Sequence, residues 1–173
     1  MSRALADAVA DEIERLIHVR GRAIGLLDAS PILADTYNYL REKNIDWIRV
    51  IGLQTAEFMG LGEEDPGSAR KFLLDRLVRK VAMAEFHPLR GDAANPAAVR
   101  ANYAALLKTR PPDFALLGVG EDGQVGSPEL SGKAGTIGLT LDAVLQCETV
   151  FVAAVGDLSA KVRKENVLAH LCA

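Results

Sequence analysis

An apolar run, Phe114-Ala115-Leu116-Leu117, breaks at once into a loop that holds Gly118, Gly120, Gly123 and Gly126, with Glu121 and Asp122 between them. No other stretch restricts the fold as much. A short apolar run bounded by turn residues reads as a strand buried on both faces, and such strands occur in parallel sheets covered by helices. In open α/β sheets, ligands bind just beyond the carboxyl ends of the strands. Asp113 to Glu129 is therefore both the expected centre of the sheet and the first place to look for chemistry.

The rest of the chain reads as alternating helices and strands. Leu5, Val9, Ile13, Leu16 and Ile17 recur at helical spacing and predict an amphipathic helix that ends at Gly21. Arg22 to Leu27 predicts a buried strand. Ser30 then caps a helix with Pro31 at its first position and Ile32, Leu33, Tyr37 and Leu40 inward. Asp46 to Leu53 predicts a second strand, Gln54 to Asp65 a loop, and Asp65-Pro66 the start of a helix holding Phe72, Leu73, Leu77 and Val78. A short strand is expected over Val81 to Phe86. Asn95-Pro96 opens a helix with Val99, Tyr103, Leu106 and Leu107 on its inner face. After the glycine loop come a weak strand (Thr136 to Leu139), a short helix (Leu141 to Cys147) and a strongly buried strand (Thr149 to Val155). A last helix carries Val162, Val167, Leu168 and Leu171. This alternation predicts one α/β domain over residues 1–173. Its architecture is three-layer and Rossmann-like, a mostly parallel sheet of about five to six strands with helices on both faces.

Composition removes several function classes. Net charge is −3 with aromatics at 5%, and no basic stripe is visible, so no nucleic acid partner is expected. No apolar run approaches the roughly 18 residues of a membrane span, and the N-terminus lacks the uninterrupted apolar segment of a signal peptide. Cys147 and Cys172 have no metal-ligand spacing and make no disulfide framework. A cytoplasmic protein without cofactor or metal is expected. His18 and His170 fall near helix C-termini and His87 in a loop beside Pro88, so each reads as structural or solvated.

Gly118-Val119-Gly120-Glu121-Asp122-Gly123 matches G-x-G-x-x-G, yet the dinucleotide reading needs a helix to start there. Gln124-Val125-Gly126-Ser127-Pro128 starts none. The segment instead resembles the family of glucosamine-6-phosphate deaminase/isomerase and 6-phosphogluconolactonase, in which a strand ends in a G-x-G-x-D-G-H loop. Gln54-Thr55-Ala56-Glu57-Phe58-Met59-Gly60-Leu61 is similar to the deaminases' N-M-D-E-Y-V-G-L, and Asp46 to Val50 to the strand before the lactonases' acidic loop. Glu63 to Leu73 and Gly135 to Gly156 continue the likeness, which covers about Ile24 to Lys161.

The resemblance implies a phosphosugar site built from Ser30, Gly120, Glu121, Gly123 and Gln124, with Asp122, Glu57 and Glu129 as candidate acid-base groups. It also exposes departures. The loop histidine that shuttles protons in the family is Gln124 here, and an amide cannot titrate near neutral pH. The family aspartate that moves the carbon-bound proton is Ala56, and the lactonases' arginine is Phe58. The glycine-rich phosphate turn is Asp28-Ala29-Ser30-Pro31, which loses glycines and adds a carboxylate. The chain is also shorter than the family pattern after Glu129 and after Lys161. Asp28, Glu57, Glu121, Asp122 and Glu129 are expected to converge at one sheet edge.

Two readings stay open. One is a divergent sugar-phosphate isomerase, deaminase or lactonase. The other is a catalytically silent relative that binds a small phosphorylated sugar, a related ligand or a partner protein. A homo-oligomer, or association with a related subunit, is expected in either case.

Overall fold

The computed structural model describes residues 1–120 and 135–154. Five parallel strands form its centre: β1 (Ala23–Leu27), β2 (Val50–Gln54), β4 (Glu85–His87), β5 (Phe114–Val119) and β7 (Thr149–Ala154). They lie in the order β4-β2-β1-β5-β7. β3 (Ala56–Phe58) and β6 (Thr136–Gly138) pair antiparallel in a separate two-stranded arm. The helices are α1 (Ser2–Arg20), α2 (Ala34–Leu40), α3 (Ala69–Arg76), α4 (Pro96–Thr109) and α5 (Leu141–Leu145). The main sheet draws its strands from residues 23 to 154 and is an α/β arrangement.

Successive residues of an extended strand face opposite ways, and this divides the core in two. Ala23 and Leu27 of β1, with Phe114 and Leu116 of β5, pack on one face beneath α1, α2 and α3. Ile24 and Leu26, with Ala115, Leu117 and Val119, pack on the other beneath α4, α5 and β6. Both faces are apolar because both are covered, which gives three layers. Gly25 lies opposite Phe114 in the β1–β5 register, and the Phe114 ring fills the space a side chain at Gly25 would take.

Several sequence expectations hold to the residue. α1 ends at Gly21, whose φ of 78° is the left-handed cap conformation that suits glycine. Asn95 accepts the Ala98 N–H at the start of α4, with Pro96 at the first helical position.

Others are corrected. Trp47–Arg49 is a 3-10 turn, so β2 begins only at Val50. The expected loop from Gln54 to Asp65 contains β3, which forms because β6 returns to pair with it. Thr136–Gly138 accordingly joins this arm and not the main sheet. α3 starts after Ser68, not at Pro66, since the Ser68 hydroxyl accepts the Lys71 N–H. β4 lies at Glu85–His87, which makes His87 a strand residue. β7 is mostly half-buried because, among the described residues, only β5 pairs with it in the main sheet. The final helix expected after Gly156 lies outside the described residues.

Cys147 follows α5 and is partly buried. Burial, and then the Asp113 charge, pushes its thiol up to about 12. Peptide mapping after iodoacetamide treatment at neutral pH should therefore show Cys147 labelled about a hundredfold or more slowly than an unperturbed thiol.

Candidate functional site

The chain leaves β1 toward β2 and β4, then crosses back to place β5 on the opposite side of β1. The C-terminal ends of β1 and β5 therefore flank the topological switch point, where a doubly wound sheet opens a crevice. Three polar segments meet there: Asp28 to Ser30 after β1, Thr55 after β2, and Gly118 to Gly120 at the end of β5.

Asp28 is 2% exposed. Its Oδ2 accepts the Gly118 N–H at 3.0 Å and its Oδ1 the Thr55 hydroxyl at 3.2 Å. Its own N–H donates to the Leu116 carbonyl at 3.2 Å. Its carbonyl accepts the Tyr37 hydroxyl at 2.7 Å. Burial, with the Asp28 charge second, pushes that phenol well above its usual range, so Tyr37 stays a donor. One buried carboxylate thus ties the ends of β1, β2 and β5 together.

Ser30 stands at the cap position before a 3-10 turn over Pro31–Leu33. The expectation that its hydroxyl caps a helix is corrected: the side chain makes no cap bond, and the Leu33 N–H goes instead to the Ser30 carbonyl at 3.0 Å. Ser30 packs on the β5 end. A Cβ at Gly118 would lie 2.4 Å from both Cβ and Oγ of Ser30 and 2.7 Å from Ile32 Cγ2. Gly120 is exposed just past β5.

Glu57 belongs to a different group. It is 2% exposed and sits on β3, which lies against the N-terminus of α3. Oε1 accepts the backbone N–H of Phe58 at 2.8 Å and of Ala69 at 2.9 Å. Oε2 accepts the Arg70 N–H at 2.7 Å, the Ser68 hydroxyl at 2.8 Å and the Gln54 side-chain amide at 3.3 Å. The first N–H groups of a helix lack intrahelical partners and carry partial positive charge, so a carboxylate here caps and neutralises at once.

Asp28 and Glu57, expected in one acidic pocket, are instead held by separate donor sets. Glu121, Asp122, Gly123, Gln124 and Glu129 lie outside the described residues. Their segment departs from Gly120 at the crevice and resumes at Gly135, whose carbonyl accepts the Met59 N–H at 2.8 Å. Among the described residues, no three His, Cys, Asp or Glu side chains are grouped to hold a metal, and no helix is long and apolar enough to cross a membrane.

Gln54 and Thr55 were not singled out as crevice residues by sequence reading. Gln54 is buried, donates to the Ala56 carbonyl at 2.7 Å and accepts the Leu89 N–H at 3.1 Å. A polar pair directly behind the apolar Val50 to Leu53 run was the available signal. Buried Arg70 was missed too. Its Nε has no hydrogen-bond partner among the described residues, and Glu63 and Asp92 approach its guanidinium only to 3.9 and 3.8 Å.

Residues 1–128 match the family model described as glucosamine-6-phosphate isomerases/6-phosphogluconolactonase. A glucosamine-6-phosphate deaminase of Exiguobacterium is 34% identical over 89 residues, which is 51% of this chain and 35% of that protein. One from Streptococcus suis is 30% identical over 108 residues, 62% of this chain and 46% of that protein. The match thus spans less than half of each of these relatives. Among solved structures, a 6-phosphogluconolactonase from Thermotoga maritima superposes with a TM-score of 0.82 at 15% identity, covering 97% of this chain and 86% of that one. A monomeric glucosamine-6-phosphate deaminase gives 0.78 at 17% identity, covering 96% and 83%. At such identities the structural likeness is one of fold.

Proposed function

Because the chain belongs to the glucosamine-6-phosphate isomerase/6-phosphogluconolactonase family, we propose that it serves carbohydrate-phosphate metabolism as a divergent member. In this reading its crevice binds a sugar-like ligand without ordinary deaminase or lactonase turnover. The observation that carries the reading is the full engagement of Glu57. A carboxylate with five donors, three of them backbone N–H groups, is committed to holding α3. Moving a substrate proton would cost it several of those bonds. Beside it, Ala56 has no acid-base capacity, and Gln124 supplies an amide where the family has an imidazole.

Asp28 bears on the ligand class. It takes the Gly118 N–H, a donor that a bound anion would compete for, and holds a carboxylate at the crevice floor. The floor therefore favours a hydroxyl-bearing group over a phosphate dianion, with Ser30 and Gly120 positioned to contact the ligand at the rim.

A panel of phosphosugars, 6-phosphogluconolactone and their unphosphorylated counterparts tests this by turnover and thermal shift. The expected result is stabilisation by at least one unphosphorylated sugar and no deamination or lactone hydrolysis above the uncatalysed rate. Turnover at ordinary enzyme rates, abolished by Asp122→Asn, would establish the enzymatic reading instead, with Asp122 as its acid-base group. We also propose self-association or pairing with a related subunit, since Phe58 and Met59 expose apolar surface next to each other on the β3 arm. Light scattering that gives a monomer would reject it.

A further inference from the structure

The end of the sheet opposite the crevice carries a second opening. All main strands run in parallel, so the first residues of β1, β2 and β4 share one edge with the C-termini of α1 and α4. A cavity of about 390 Å³ opens there, lined by Arg22, Arg49, Arg110, Glu85, Ile48 and Ile51 among others. Three guanidiniums face one carboxylate.

Their engagement differs. Arg110 pairs with Glu85, and its Nη1 lies 3.3 Å from His87 Nε2. Arg49 pairs with Asp46 at 3.0 Å, but both side chains are about half exposed, and pairs of that kind contribute little. Arg22 makes no side-chain hydrogen bond or ion pair to any described residue. Helix C-termini bring partial negative charge to this edge, equivalent to roughly half a charge each. Among the residues that line the cavity, Glu85 is one carboxylate against three guanidiniums, and Asp46, the partner of Arg49, lies outside that lining. Arg22 and Arg49 also stand just before the strand starts and outside the last turns of α1 and α4, so capping those two helices does not account for them.

We propose that this cavity binds a phosphorylated small molecule with two or more negative charges, at a site separate from the crevice. The guanidinium fork matches phosphate oxygens two at a time and desolvates more readily than an ammonium. The volume falls within the range of small-molecule sites. Ile51 gives the cavity a buried apolar wall, and Ile48, 67% exposed, stands ready to cover an apolar part of the ligand. The crevice, by contrast, holds its own carboxylate in Asp28. The two openings thus select opposite ligand charge.

Titration calorimetry of the full chain with pyrophosphate, and with inorganic phosphate for comparison, tests the proposal. Pyrophosphate is expected to bind with a Kd below about 1 mM and more tightly than phosphate. The Arg22→Ala/Arg49→Ala variant should weaken it at least about tenfold. These side chains are exposed, so the variant should keep the wild-type Tm. Arg76→Ala/Arg41→Ala, which changes the net charge equally, should leave the affinity within about twofold. Asp28→Asn, which alters only the crevice floor, should do likewise. The proposal is overturned by absence of binding at about 1 mM, by equal loss in the control pair, or by binding that responds to Asp28→Asn and not to the cavity arginines. None of these results depends on whether the crevice binds a sugar.

Discussion

Glu57→Ala is expected to lower the free energy of unfolding by about 3–5 kcal/mol, because it leaves several buried donors without an acceptor. Four of the five donors to this carboxylate lie at 2.7 to 2.9 Å, and three are backbone N–H groups that cannot turn away. A domain of this size holds only about 5–15 kcal/mol in all, so the loss is a large fraction. In thermal terms it amounts to roughly 10 °C of Tm, read by calorimetry or by circular dichroism at 222 nm. Glu57→Gln sharpens the test. It keeps one acceptor oxygen but turns an NH2 group toward N–H donors, so it should lose a substantial part of the same stability. If Glu57 were instead a catalytic group with a dispensable structural role, Glu57→Gln would fold with wild-type Tm and lose only activity. That outcome would overturn the structural assignment and restore Glu57 as an acid-base candidate.

Gly118→Ala is the second large effect. The new methyl would stand 2.4 Å from Ser30 Cβ, an atom fixed to the backbone, and 2.7 Å from Ile32 Cγ2. Rotating the Ser30 hydroxyl relieves neither of these contacts, so the Ser30 turn or the end of β5 must move. Overpacking of this kind costs about 1–3 kcal/mol or somewhat more. The same movement would stretch the 3.0 Å bond from the Gly118 N–H to Asp28, which adds a lost charge-assisted bond. About 3 kcal/mol in urea-induced unfolding is the expected total. Ser30→Gly in the same chain removes the Cβ that is struck and should recover part of the loss. Failure of that rescue, or a neutral Gly118→Ala, would show that the β1 and β5 ends are not packed against each other as described.

The candidate site was legible in part. A glycine-bearing loop after a buried strand announced its location, because β5 must end somewhere and ligand chemistry gathers at strand C-termini. Ser30 and Gly120 do lie at that edge. The roles were harder. Glu57 reads in sequence as an acid next to Ala56 in a likeness to a catalytic motif. Its actual partners, Ala69 and Arg70, stand at the N-terminus of a helix that sequence reading started at the wrong residue. Asp28 reads as a poor phosphate-loop residue, and nothing nearby in the chain reveals that it fastens Gly118, ninety positions away. The basal arginines carry no motif, since Arg22, Arg49 and Arg110 come from three separate segments.

What the sequence determined alone is what depends on neighbours along the chain. The two-faced apolar strands required cover on both sides and hence three layers. Gly21 and Asn95-Pro96 marked helix ends through backbone conformations that few other residues adopt. What only tertiary structure decided is everything that needs segments distant in sequence to meet. This includes the strand order that puts β1 beside β5, the antiparallel β3–β6 arm, and the donors around Asp28 and Glu57. Periodicity tells a residue which face it occupies, but hydrogen bonds and charge act over a few ångströms. A carboxylate's role is therefore settled only when folding has chosen what stands beside it.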